Sequence, residues 1–428
     1  METPPPALKS WVEDARQRTL ELASSLALEQ LLGPKLAIVN PPLWELGHVG
    51  WFQESWVLRH AAGRAPVRPD GDGLYDSAAI PHDTRWQLPL PTLGATVEYL
   101  KVVRDAVLQT LSQPAVGDPY FACLSVFHED MHAEAMAFSR QTLGWRRPPL
   151  ARGEREAAPA GPLDGDVAVP GGNFPLGSRK EEPFVFDNEK WEHPVTLAPY
   201  AISRAPVTQS AFLEFVEDRG YARAELWSPD GWRWRTEARA DHPLHWRREG
   251  REWFRREFDR WLPLEPHRPM VHVNWHEANA WCRWAGRRLP TEAEWEAAAA
   301  GQPGPDGRLA PTKRRYPWGD APPTPDRAHL GFEQFACVDV AALPGGDSAF
   351  GCRQMLGNVW EWTASDFNPY PGFSPDPYRE YSGPWFGNYK VLRGGSFATT
   401  TRLVHAGFRN FYTPDRRDMW AGFRTCAL

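Results

Sequence analysis

His128-Glu129-Asp130-Met131-His132-Ala133-Glu134 sits inside a run, Tyr120 to Trp145, whose apolar residues Leu124, Phe127, Met131, Ala135 and Phe138 recur close to every 3.6 positions. That period predicts a helix. On a helix His128 and His132 stand at i and i+4, one turn apart on one face, roughly 5–6 Å between Cβ atoms. The spacing lets two imidazoles share one metal ion. Glu134, two residues after His132, points well round the helix, so a third ligand must come from another element. Two bland alternatives stand beside this. The pair can be ordinary polar surface. The letters also spell His-Glu-x-x-His, the zinc-protease pattern with Glu129 as general base. That pattern needs a further ligand downstream, where Glu154 and Glu156 fall in a stretch rich in Pro, Gly and Ala with no long helix after it.

Outward from this stretch, the chain reads as two domains. Its 428 residues exceed one ordinary domain, and its 42% hydrophobic content is enough for substantial cores. The formal charge of -6 and the absence of a long basic run argue against nucleic acid as a partner. Five widely spaced cysteines without a Cys-x-x-Cys predict free thiols in a reducing compartment. Neither a signal peptide nor an apolar stretch of membrane-spanning length is visible, so the expectation is a cytoplasmic protein with no membrane partner.

Before the histidine helix, bounded at Tyr120 and Leu143, three more helices are expected: Leu8 to about Leu32, Leu43 to Ala62 behind Pro41-Pro42, and a third from Thr92, its cap, to Leu111. Pro4 to Pro6 form a short stiff lead, and residues 63–91 read as a long loop. Four helices of this length make a bundle, in which metal ligands project inward from facing helices. His48, in the second helix among Trp44, Trp51 and Phe52, is the candidate third ligand, although a histidine in such surroundings is also a common core residue. His82 and His60 are weaker candidates. Residues 151–166 read as a linker between a first domain, 1–150, and a second, 167–428. Past it the texture changes to short apolar runs split by Gly, Pro, Asn and Asp, with strands at Val195-Thr196-Leu197 and Val391-Leu392-Arg393. Helices are expected at Ala211 to Arg219 and Trp275 to Trp284, and Thr291 and Glu294 form the capping box of another. The fold class is α+β.

The second half carries Val169-Pro170-Gly171-Gly172-Asn173-Phe174, Pro206-Val207-Thr208, Val273-Asn274-Trp275 and Arg288-Leu289-Pro290-Thr291-Glu292-Ala293-Glu294-Trp295-Glu296. It continues with Tyr316-Pro317-Trp318-Gly319, Gly357-Asn358-Val359-Trp360-Glu361-Trp362, Arg393-Gly394-Gly395-Ser396 and Gly422-Phe423-Arg424. These resemble the formylglycine-generating-enzyme-like (sulfatase-modifying-factor) domain, a C-type-lectin-like fold. The first half resembles a DinB-type four-helix bundle. The two in this order resemble the sulfoxide synthases of ergothioneine biosynthesis and the related selenoneine synthase. That resemblance implies Fe(II) held by His48, His128 and His132, with O2 as co-substrate. It implies a reaction that joins C2 of the hercynine imidazole to a sulfur or selenium donor, giving a sulfoxide or selenoxide. Three neutral imidazoles leave an octahedral ion three open positions, although the same ligands suit zinc. The resemblance further implies a proton-donating tyrosine in the loop after Trp-Glu-Trp, here Tyr378, with Tyr381 second. It implies a hercynine pocket at Asn410, Phe411 and Tyr412, where an aromatic face suits a trimethylammonium group. Related domains also imply a structural Ca2+ near Asn358 and Glu361, an arrangement that a buried hydrogen-bond network would explain equally.

The donor is read from departures from the ergothioneine enzymes. A γ-glutamylcysteine donor needs Arg forks and an acid. Here the loop before the third helix, Pro81 to Pro91, has Arg85 as its sole arginine; Met131 replaces a common Gln; and Asn410 is followed by Phe411 and Tyr412 rather than by Trp and an acid. Arg85 and Met131 therefore join the substrate-binding candidates, and loss of charge suits a neutral selenosugar such as 1-selenoglucose better than a charged thiol. Two other function classes remain. An oxidase of the formylglycine type needs a late cysteine pair, whereas Cys426 stands alone. A non-catalytic binding module leaves the three histidines without a purpose.

Overall fold

A computed structural model describes residues 7–113, 119–150 and 158–428. The chain divides into two compact units, Met1–Ala151 and Arg152–Leu428. The Pro4 to Pro6 lead, the first half of the expected linker, and Glu154 and Glu156 lie outside the described residues. Among the described residues no helix is long and apolar enough to cross a membrane.

The first unit is built on α1 (Leu8–Ala23), α2 (Pro42–Gln53), the short α3 (Gly71–Tyr75), α4 (Leu93–Thr110) and α5 (Tyr120–Leu143). α1 packs on α4 and α5, and α2 packs on the same pair. Pro42 starts α2 at the position where a missing N–H costs nothing, and all twelve of its residues are buried. Thr92 caps α4 by accepting from the Ala95 N–H, and Gly144, at φ 65°, closes α5 in the left-handed conformation. Two expectations need correction. α1 stops at Ala23 instead of running on to Leu32, because Arg140 of α5 satisfies the terminal Leu22 carbonyl at 2.7 Å and turns the chain at Ser25. The stretch 63–91 is not all loop: it holds α3 and a 3₁₀ turn, His82–Gln87, both too short for a periodic signal. α2 continues as a π-helix, Glu54–Ala61, a wider coil than the pattern discloses.

The second unit is mixed. One four-stranded sheet runs in the order Asp166–Val169, Tyr200–Ser203, Cys426–Ala427, Arg287–Arg288, and another in the order Asn410–Tyr412, Lys390–Arg393, Trp360–Asp366, Ala421–Gly422. A hairpin, Gly172–Leu176 with His193–Leu197, and a three-stranded ribbon between Trp246 and Pro263 complete the strands. Around them lie α6 (Gln209–Glu217), α7 (Pro229–Glu237), α8 (Trp275–Trp284) and α9 (Glu292–Ala300). Thr291 and Glu294 form the capping box that starts α9. All five cysteines are free and buried, and burial pushes the Cys426 thiol up to about 12. A thiol of that kind is not the reactive thiolate an oxidase of the formylglycine type needs.

Buried arginines lace this unit together. Arg424 grips Glu361 through two bonds of 2.6 and 2.8 Å, and the Trp295 indole donates to the same carboxylate at 2.7 Å. Arg409 grips Glu292 at 2.8 and 3.1 Å, and Arg393 reaches both Glu292 and Glu296. Each charge is desolvated, so each depends on its partner. The expected Ca2+ at Asn358 and Glu361 finds no support in this geometry. Both Glu361 oxygens face a guanidinium that a cation would have to displace, and the Asn358 amide is spent on the Val338 backbone and Gln354. The hydrogen-bond network is what these two residues form.

His329 is 5% exposed, donates from Nε2 to the Ala336 carbonyl at 2.9 Å and stacks on Phe397. Burial lowers its pKa from 6.5 to about 4. The unfolded chain therefore takes up this proton first as pH falls, so the stabilisation is complete above pH 6.5 and is lost towards pH 4. The loss amounts to about 3 kcal/mol. His329→Gln, which keeps a donor for Ala336, is expected to flatten that part of the stability–pH curve, measured by denaturant unfolding at several pH values; an unchanged slope in the variant contradicts the assignment.

Candidate metal centre

α5 presents His128 and His132 one turn apart, and α2 brings His48 to them. One ligand atom from each of the three lies within 4.8 Å of the others, the one such cluster of His, Cys, Asp or Glu among the described residues. The ring centroids are 5.0, 4.9 and 4.5 Å apart. His48 and His128 are 2% and 4% exposed, whereas the His132 side chain is 20% exposed. Burial, reinforced by the neighbouring imidazoles, holds the pKa of His48 and of His128 well below the usual value. Both are therefore neutral and keep a lone pair, as metal ligands must.

The surroundings decide which nitrogen carries that lone pair. His48 Nδ1 lies 2.8 Å from the Tyr75 carbonyl, which can only accept, so Nδ1 carries the proton and Nε2 is the free donor atom. His132 Nδ1 lies 2.7 Å from Glu45 Oε1, with the same consequence. The Trp44 ring stacks on His48 at 4.7 Å and 11°, and its indole donates to the Leu74 carbonyl. Phe52 stacks on His128 at 3.6 Å and 6°. Three imidazoles, two with Nε2 set free by fixed acceptors, fit a divalent transition metal such as iron or zinc.

His60 packs against Trp56 and Phe121, and His82 bonds the Val39 carbonyl, so neither joins the cluster. Glu129 is no general base. Arg16 holds both of its oxygens, at 2.8 and 3.1 Å, in a pair of which each member is 1% exposed. The protease pattern is thus spent on a buried ion pair. Arg85 is not a free fork: its guanidinium lies 3.9 Å over the Trp44 ring and donates to Asn40 at 2.7 Å. Met131 is half-buried on α5.

The remaining candidates belong to the second unit. Tyr381 stacks on Phe186 at 4.5 Å, lies 6.0 Å from Tyr378 and meets Phe411 edge-on at 5.9 Å. Burial, with the nearby Glu189 and Asp187, raises the Tyr381 hydroxyl pKa well above its usual value. Phe411 stacks on Phe367 at 4.0 Å, Asn410 accepts from the Phe411 N–H, and Arg416 lies over Tyr412. Sequence reasoning missed Trp44, Glu45 and Tyr75. The first two were open to it, since they sit four and three residues before His48, one turn back on the same face. Tyr75 had no local signal.

Gly47 explains why Tyr75 can be there. A Cβ at this position would lie 2.1 Å from the Tyr75 ring. Gly47→Ala is expected to push Tyr75 and its carbonyl off His48, costing about 1–3 kcal/mol of stability and about ten-fold or more in metal affinity. Melting curves and chelator competition measure the two effects, and wild-type affinity in the folded variant contradicts the role given to Tyr75.

Two family descriptions match the chain: the DinB superfamily over residues 12–138 and the sulfatase-modifying factor enzyme 1-like domain over residues 151–427. Among curated proteins, a hercynine oxygenase of Mycolicibacterium thermoresistibile is 39% identical over 96% of this chain and 92% of its own length. That of Mycolicibacterium smegmatis is 38% identical over 96% of both chains, and that of Mycobacterium tuberculosis 38% identical over 99% of both. With both domains matched in order and relatives aligned from end to end, the chain belongs to the hercynine oxygenase family, the ergothioneine-type sulfoxide synthases.

Proposed function

We propose that this chain is an Fe(II)- and O2-dependent enzyme that joins C2 of the hercynine imidazole to a chalcogen donor. The observation that carries the reading is the cluster of His48, His128 and His132 in a chain so similar to hercynine oxygenases. The overall change balances simply. The imidazole C–H and the donor chalcogen–H are replaced by one C–chalcogen bond, one oxygen atom of O2 ends on the chalcogen, and the other leaves as water. When bound, the ion supplies open positions at which imidazole, chalcogen and O2 can meet. Residues 1–150 are read as the metal-binding domain, 151–166 as linker and 167–428 as the formylglycine-generating-enzyme-like domain. The five buried free thiols suit a reducing, cytoplasmic setting.

The protein's own groups bind, orient and protonate. Tyr378 or Tyr381 supplies a proton during oxygen activation. The raised pKa of Tyr381 keeps its phenol protonated, as a donor must be. Asn410 faces the polar end of hercynine, and Phe411 with Tyr412 offers aromatic surface to the trimethylammonium group. Tyr378→Phe and Tyr381→Phe are expected to spare hercynine binding and to slow product formation about 10²- to 10⁴-fold in the variant that removes the donor. Calorimetry and product analysis read the two effects. Unchanged yield in both single variants and in the double variant removes tyrosine from the mechanism.

For the donor we favour a selenosugar, such as 1-selenoglucose, with a selenoxide as product. Arg85, the sole arginine of its loop, is 9% exposed and committed to Trp44 and Asn40, which leaves no ready fork there for a peptide carboxylate. Met131 and Phe411 add no charge. The second reading, a thiol such as γ-glutamylcysteine or cysteine, is favoured by the end-to-end identity with hercynine oxygenases. A competition under O2 with hercynine, iron and equal amounts of selenosugar and γ-glutamylcysteine separates them. Selenoxide is expected to dominate, and preferential turnover of γ-glutamylcysteine overturns the donor assignment while leaving the hercynine chemistry standing.

A further inference from the structure

Glu45 is 2% exposed, in a helix buried over its whole length. Burying a carboxylate is costly unless it is paired and hydrogen-bonded. Its hydrogen-bonding partner is an imidazole: Oε1 accepts from His132 Nδ1 at 2.7 Å. His48 has only a neutral carbonyl at the same position. Glu45 is also placed behind the ring. It is bonded to Nδ1, and no oxygen of Glu45 belongs to the group of ligand atoms lying within 4.8 Å of one another. It is therefore not the carboxylate of a two-histidine, one-carboxylate ligand set.

The rest of the surroundings is arranged to hold that charge. Arg85, whose guanidinium lies over the Trp44 ring, attracts Glu45. The sequence Trp44-Glu45-x-x-His48 thus places on one helical turn the ring that stacks on the first histidine and the carboxylate that bonds the third. A carboxylate accepting a ligand's N–H fixes its tautomer and makes the imidazole a stronger base.

We propose that Glu45 is a positioning residue of the metal centre: by accepting the His132 Nδ1–H it fixes Nε2 as the ligand atom and lends part of its negative charge to the ion, so raising metal affinity and lowering the Fe(III)/Fe(II) potential. The inference rests on the reading of the three histidines as a metal site.

The test uses the full chain, stripped of metal, as wild type, Glu45→Gln and Glu45→Ala. Co(II) and, under argon, Fe(II) affinities are measured by chelator competition, the iron potential by redox titration, and folding by circular dichroism. Gln keeps an acceptor oxygen and loses the charge, so it is expected to weaken binding about ten-fold and to raise the potential, at a wild-type fold. Ala also frees the tautomer, and is expected to weaken binding up to about 100-fold. If Ala does not fold, the Gln variant alone decides. A Glu45→Gln protein that binds Co(II) and Fe(II) as wild type does, with an unmoved potential, overturns the proposal even if its melting point has dropped, because that pattern is a purely structural role. If wild type itself binds neither ion and His48→Ala changes nothing, the reading of the metal site fails, and this proposal with it.

Discussion

His48 and His128 can share one small space with a third imidazole only while they stay neutral, and burial is what keeps the two so. A proton on His48 or His128 would be desolvated and would face a second histidine at close range, and both effects hold the two rings uncharged. Much of the first unit follows from this requirement. α2 is buried all round, which allows His48 to be dry. Gly47 has no side chain, which lets Tyr75 approach and present a carbonyl to His48. Trp44 and Phe52 close over ring faces that would otherwise meet water. His132 differs: it is partly open, and its Nδ1 meets a carboxylate instead of a carbonyl. The cluster thus has one ring fixed by a backbone carbonyl, one packed face to face on Phe52, and one bonded to a carboxylate.

The second unit solves a different problem. It has little regular secondary structure for its size, so its long irregular segments must be tied by side chains. The buried arginines do this. Arg393, Arg409 and Arg424 come from the last third of the chain and close on Glu292, Glu296 and Glu361 of α9 and the Trp360–Asp366 strand. Removing either member of such a pair leaves an uncompensated charge in a dry interior, which costs more than the pair itself contributes. The resulting scaffold carries the aromatic group of Phe186, Tyr378, Tyr381, Phe367 and Phe411.

Several of the short signatures that make the second half legible in the sequence are sides of these ion pairs. Arg288 to Glu296 supplies Glu292 and Glu296, Arg393 to Ser396 supplies Arg393, and Gly422 to Arg424 supplies Arg424. A motif read as a string of letters is, in space, one half of a contact. The same holds for Glu361 as an expected Ca2+ neighbour: the letters show an acceptor, and the partner it meets is a residue 63 positions away.

What the sequence determined by itself is whatever depends on local periodicity or on a fixed spacing along a helix. The bounds of α5, the caps of α4 and α9 and the pairing of His128 with His132 belong here, because a helix converts spacing directly into direction. Tertiary structure decided what depends on which element arrives opposite. It selected His48 over His82 and His60, took Glu129 out of chemistry by giving it Arg16, committed Arg85 to Trp44, and put Glu45 behind His132. Local physics is silent on each of these, since a buried polar group is satisfied by whatever partner the packing of distant segments brings within hydrogen-bond reach.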